Sequence, residues 1–269
     1  MNKKMIAGLV IISVLVLMGL LAPYIATIDP ELNNLSSRLT PPSKEFLFGT
    51  DHLGRDVFSR ILYGTKLSMG IAFVVLIISL SIGLVFGLVS GYFGGIVDKI
   101  IMTIVEIFLA FPSMVLALAV VGIMGPGIKN AVIAVCVVSW IGYTRIVRGM
   151  VLSIKGKEFV KSAVLNGSSD FKIITRHILP NVINTVVIYS ATNISNIMMQ
   201  IAALSFLGMG VQPPIAEWGN MLNEAKGYIT AAPWLIIAPS VAIITMIVGV
   251  NLFGEGLTKF LNEDKTGGT

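Results

Sequence analysis

Cysteine, histidine and charge are all scarce in this 269-residue chain. Its single cysteine, Cys136, excludes an internal disulfide and lies in an apolar run, where packing is its expected role. The histidines, His52 and His177, are far apart in sequence. His52 beside Asp51, Arg55 and Asp56 is a weak metal signal, because a metal asks for three or four convergent ligands. No metal is assigned. The phosphate-loop pattern G-x-x-x-x-G-K-[ST] is missing, so no ATP is expected in this chain. No nucleophile–base pair stands out, which argues against an enzyme. Charged residues make up 12%, against about 25% in an ordinary soluble domain. The net charge of +5 is small and scattered, which excludes nucleic acid as an expected partner.

What is abundant is apolar surface. The chain is 55% hydrophobic with a mean hydropathy of +0.89. A compact soluble monomer of this composition would expose large apolar patches. An all-α, polytopic membrane protein is therefore expected. Six segments reach the roughly 20 apolar residues a helical span needs: residues 5–25, 67–92, 96–124, 131–147, 182–207 and 234–257. Pro112 predicts a kink in the third, and Pro239 lies near the start of the sixth. Asn2, Lys3 and Lys4 precede the first span, which reads as an uncleaved anchor rather than a signal peptide.

Lysine and arginine favour the cytoplasmic side. With the amino end inside, the inner segments carry about twelve basic residues, including Arg145, Arg148, Lys155, Lys161 and Arg176, against about seven outside. Both termini are then cytoplasmic. The chain divides into an anchor and outer loop (1–66), a transmembrane core (67–257) with an inner loop over about 148–181, and a short tail (258–269) expected to fray.

Within that loop, "GKEFVKSAVLN" predicts a short helix ended by Gly167, since glycine tolerates the left-handed conformation of a helix stop. "SSDFKIITRHI" restarts with Ser168 or Ser169 as cap, and Pro180 breaks the run before the next span. Phe159, Ala163 and Val160 fall on one side of the first helix, with Lys157, Lys161 and Ser162 elsewhere. The loop either rests on lipid headgroups or docks a cytoplasmic partner.

Three constellations lie within the spans. Gly83, Gly87, Gly91 and Gly95 recur every four residues and predict a close helix contact, within the chain or with a partner. Tyr189, Asn193, Asn196 and Gln200 share one face of the fifth span, either as interhelical hydrogen bonds or as the lining of a hydrated path. Glu106 interrupts the third span and must be sheltered, by the path, by a base or by a proton. Asp98 with Lys99 reads as a solvated pair near the inner interface.

The loop resembles the E-A-A-x-x-x-G-x9-I-x-L-P loop of permeases in ATP-binding-cassette importers. Here Lys161, Ser162 and Ala163 are followed by Gly167, then nine residues, then His177–Ile178–Leu179–Pro180. Lys161 replaces the acid, Ser162 the first alanine and His177 the isoleucine. "FGTDHLGRDVFSRILYGTKLS", "GYFGGIVDKIIMTIVEIFLAFPS", "SWIGYTRIVRGMVLS" and "LSFLGMGVQPPIAEWGNML" are similar to segments of dipeptide, oligopeptide and nickel importer permeases. The resemblance implies a type I importer fold with six transmembrane helices, in a bacterial or archaeal plasma (inner) membrane. It implies a second homologous permease, two ATPase subunits that bind ATP and magnesium, and an extracytoplasmic solute-binding protein. The solute would be a peptide, nickel or a metal chelate. Coupling to the ATPases would rest on Glu158, Phe159, Val160, Lys161, Ser162, Ala163, Gly167, Asp170, His177, Leu179 and Pro180. The rival functions are an ion-coupled secondary transporter or channel, and a membrane receptor or scaffold. A coupled carrier usually carries several deep ionisable groups, and this chain offers Glu106.

Overall fold

The computed structural model describes residues 2–266, with side chains as far as Leu261. Among the described residues the regular structure is helical, apart from one isolated bridge between Thr50 and Asp56. Four helices are long and apolar enough to cross a membrane: α1 (Lys3–Leu20), α3 (Val57–Phe93), α6 (Ile128–Lys155) and the Trp234–Leu261 part of α11. A short α2 (Ala22–Ile25) follows α1. Helices α4 (Gly95–Leu109) and α5 (Ser113–Met124) make a fifth span only if taken together, and they meet at 89°. Pro112 thus does more than kink one span. It lacks an N–H and pushes Phe111 out of helical backbone, so the helix ends and restarts with Pro112 as its N-cap. The fifth expected span, α9 (Leu179–Phe206), is 28 residues long but carries the polar face and falls short on apolarity. Length and apolarity therefore count four or five spans where six were expected. Two short helices, α7 (Glu158–Leu165) and α8 (Asp170–Ile173), lie between α6 and α9, and α10 (Trp218–Ala225) lies between α9 and α11.

The bundle is built around the seam of α3 and α6. A Cβ on Gly87 would lie 2.5 Å from Val147 Cβ, and one on Gly91 would lie 2.7 Å from Val151 Cβ. Gly83 faces Tyr143 and the Trp140 carbonyl in the same way. The absent side chains let two backbones touch. Gly95 leaves this stripe: its φ of +54° turns the chain from α3 into α4, and nothing lies within 4 Å of its Cβ position. A second glycine seam, not anticipated from the sequence, holds α1 to α11. A Cβ on Gly249 would meet Ile11 at 2.7 Å, and one on Gly256 would meet Met5 at 2.5 Å. Lys4 closes this seam on Glu255 at 2.7 Å. Cys136 is buried in the core. Helix α11 continues past residue 257 to Thr266, while 267–269 lie outside the described residues.

At the end of the bundle away from α7, the 26–56 segment is pinned by buried ions. Arg55 reaches Asp51 at 2.5 Å and Glu224 at 2.7 Å, and Arg60 reaches Glu224 at 2.9 Å. Burial disfavours the Arg55 charge, but Glu224 and Asp51 outweigh it and hold its pKa above the ordinary arginine value. Asp56 caps α3, accepting from the Ser59 N–H at 2.8 Å and its hydroxyl at 2.6 Å. His52 stacks on Tyr228 at 5.4 Å.

Candidate functional site

Helix α7 stands on its own chain through Val160 (2% exposed) and Ala163 (8%), which are buried in the core. These two were expected in a partner-facing set and instead anchor the helix. Phe159, placed with them on one side by the sequence, turns outward at 41% exposure. Val164, Leu165 and Phe171 are also outward, Leu165 at 86% and Phe171 at 77%. Glu158, Lys161, Ser162 and Asp170 are exposed around them. Gly167 ends the helix with φ +74°. Ser168 N–H donates to the Ala163 carbonyl at 3.1 Å and Gly167 N–H to Val164 at 2.9 Å. This paired closure needs a left-handed residue at Gly167, which glycine takes without penalty. The result is a short apolar knob, fixed at its base and uncovered at its tip.

Beyond Gly167 the chain does not break at Pro180. Helix α8 runs through a π-helical turn (Ile174–Ile178) straight into α9. Pro180 cannot donate its own backbone bond, and the wider turn accommodates that loss. His177 and Leu179 are half-buried in this turn and at its exit, with Pro180 exposed. The Asn181 side chain closes the His177 carbonyl at 2.7 Å.

The loop is tied to the bundle by polar contacts that sequence reading missed. The Tyr92 hydroxyl, at the end of α3, donates to Asp170 at 2.6 Å. Lys155 Nζ donates to the Tyr92 carbonyl. Arg148 holds Asp98 with two bonds, at 2.6 and 2.7 Å, so α6 is clamped to α4. Asp98 therefore pairs with Arg148 rather than Lys99, since adjacent residues on a helix point apart. No local spacing announces these pairs, because each joins positions dozens of residues apart.

A second polar group lies between α6 and α9. The Tyr189 ring packs edge-on against Tyr143 at 4.9 Å. Asn193 donates to the Tyr143 hydroxyl at 3.5 Å, and Asn196 to Asn193 at 3.5 Å. These distances are long, so the contacts are weak. Gln200 Oε1 is buried with no hydrogen-bond partner among the described residues. The structure thus brings Tyr189, Asn193 and Asn196 together and adds Tyr143, which the sequence did not single out. Glu106 lies on another helix, exposed on α4, within electrostatic reach of Arg148.

The binding-protein-dependent transport system inner membrane components match residues 83–266. The N-terminal transmembrane domain of oligopeptide transport permease C matches residues 1–42. A dipeptide transport system permease of Alkalihalophilus pseudofirmus is 39% identical over 97% of this chain and 86% of its own length. A glutathione transport system permease of Shigella flexneri is 42% identical, with 97% and 86% covered. A nickel transport system permease of Escherichia coli K12 is 36% identical, with 95% and 92% covered. Among solved structures, an inward-facing MetNI methionine ABC transporter superposes with a TM-score of 0.60 at 18% identity, covering 73% of this chain and 93% of that one. That likeness concerns the fold.

Proposed function

The chain belongs to the inner-membrane components of binding-protein-dependent transport systems, the permeases of ATP-binding-cassette importers, and from that premise we propose that it forms half of a path for short peptides, driven through α7. The observation that carries this reading is the uncovered tip of α7 on a buried base, Phe159 and Leu165 over Val160 and Ala163. An apolar knob of this kind fits a groove on an ATP-hydrolysing subunit. Two such subunits bind ATP and magnesium, and their closure displaces α7. The Tyr92–Asp170 contact carries the displacement to α3, and the π-helical turn carries it to α9. A second homologous permease supplies the other half of the path, and an external binding protein delivers the solute. Both termini then lie in the cytoplasm.

The peptide assignment rests on the polar side chains gathered where α9 meets α6. Tyr189, Asn193 and Asn196 offer hydroxyl and amide groups, the donors and acceptors that a peptide bond pairs with. The test is ATP-driven uptake in proteoliposomes holding both permeases, the ATPases and the binding protein. Labelled alanyl-alanine should accumulate only with ATP, and Leu165→Glu should abolish accumulation while the complex remains in the membrane. Uptake driven by an ion gradient without the ATPases would refute the proposal.

A further inference from the structure

Lys66 is the last charge on α3 before a long neutral run. Residues 67–93 carry no charged side chain. At about 1.5 Å per residue that run is about 40 Å long, the thickness of a bilayer with its headgroup layers. Lys66 therefore lies at headgroup depth, at the end of the bundle away from α7. It is exposed. Among the described residues its ammonium makes no ion pair and no hydrogen bond, whereas Arg60 on the same helix is held by Glu224 at 2.9 Å.

Two apolar clefts start at Lys66 and descend on opposite faces of α3. One, of about 420 Å³, lies between α3 and α6, where Leu67, Ile71 and Val74 face Ile128 and Val132. The other begins as a hollow of about 120 Å³ between α1 and α3, lined by Lys66, Gly19 and Met69. Val16 and Met69 also line a cavity of about 730 Å³ among α1, α3, α9 and α11, so the hollow continues into it. Lys66 and Gly70, one turn apart, form the ridge between the two faces. Gly70 lines both the α3–α6 cleft and the large cavity, and nothing lies within 4 Å of its Cβ position. Leu76, in the large cavity, is ten positions past Lys66, or about 15 Å. That is half of the roughly 30 Å hydrocarbon core, the reach of one leaflet.

The walls indicate what fills these spaces. Apart from Ser190, the side chains lining the large cavity are apolar, and an apolar cavity stays dry. Phe73 and Val74, one in each space, are about half exposed, so both open to the side of the bundle. The occupant thus needs two apolar limbs that straddle Gly70, with a negative charge where they join. A lysine near the end of a membrane helix lays its stem on apolar surface and presents its ammonium at the interface.

We propose that α3 carries a phospholipid site. The phosphodiester rests on Lys66, one acyl chain fills the α3–α6 cleft, and the other fills the cavity among α1, α3, α9 and α11. The site does not depend on which solute the transporter carries.

The experiment uses the full assembled transporter in proteoliposomes that hold a trace of phosphatidylglycerol with a photoactivatable diazirine in each acyl chain. Diacylglycerol with the same chains is the phosphate-free control, and adducts are mapped by mass spectrometry. Phosphatidylglycerol should label Phe73, Leu76 and Val74, and diacylglycerol should label them several-fold less. Lys66→Gln should lower labelling by phosphatidylglycerol about fivefold, the share of one lysine in holding a charged headgroup. Lys66→Arg should retain it. Gly70→Leu, which meets no protein atom, should also lower it by filling the ridge. Equal labelling by the two probes overturns the site, and so does undiminished labelling in Lys66→Gln. Adducts spread evenly over outward side chains such as Ile123 and Ile244 overturn it as well. A photocrosslinking side chain at Phe73 that joins the second permease instead of lipid overturns it too, because the clefts are then a subunit contact. Should Lys66→Gln fail to assemble, the two probes on the unaltered complex and on Gly70→Leu decide.

Discussion

The two ends of the bundle are built on opposite terms. At the end carrying 26–56, Asp51, Arg55 and Arg60 are buried, Glu224 is nearly so, and the four satisfy one another. At the α7 end, the charges are part-exposed and the large apolar side chains Phe159, Leu165 and Phe171 face outward. One end buries its ion cluster within the chain, while the other has part-exposed ion pairs and an uncovered apolar tip on α7. A closed end can remain still as the other is moved, and this division suits a lever that works from one side.

Breaking the closed end should have the largest effect on stability. Glu224→Ala strips the buried Arg60 of its nearest carboxylate and leaves Arg55 with Asp51 alone, and should cost about 3–5 kcal/mol. Thermal unfolding of the purified chain in detergent checks this. Next comes the seam that joins the two ends. Gly87→Leu forces a side chain into Val147 and should cost about 1–3 kcal/mol or prevent assembly altogether, whereas Gly122→Leu, with nothing within 4 Å, should be tolerated. The yield of folded protein separates the two.

At the open end the expected effects move from stability to work. Phe171→Glu should change stability by less than about 0.5 kcal/mol, yet it should suppress ATP-driven uptake. Tyr92→Phe removes one hydrogen bond and should cost about 1 kcal/mol, while lowering the uptake obtained per ATP hydrolysed. Equal effects of Phe171→Glu on stability and transport would erase the contrast between the ends.

The smallest expected effect is a pH slope at the closed end. Burial raises the Glu217 carboxyl above its ordinary value of 4.5, although the Gly219 and Asn220 N–H groups oppose the shift. Its contribution to stability is full below about 4.5 and is lost as pH rises through the raised value. Glu217→Gln should flatten that slope in unfolding curves taken across the range.

Local pattern decided how much the sequence revealed. The Gly83–Gly87–Gly91 seam, the Gly167 stop and the polar run on α9 are periodic or tied to one backbone conformation, so they could be read in advance. Gly95 fits the same period but leaves the stripe, because its positive φ serves the turn into α4. Phe159 and Ala163 were assigned to one face, but the way α7 lies on α6 decided which side is covered. The pairs Tyr92–Asp170 and Arg148–Asp98 were not legible, since each is set by how distant helices meet. Pro180 was read as a break because proline usually is one, and the π-helical turn absorbed it.

A photocrosslinking side chain at Leu165, in the complete transporter within its native membrane, probes the open end most directly. The account predicts a covalent adduct with an ATP-hydrolysing subunit. Adducts with lipid alone, in a complex that still imports its solute, would contradict it.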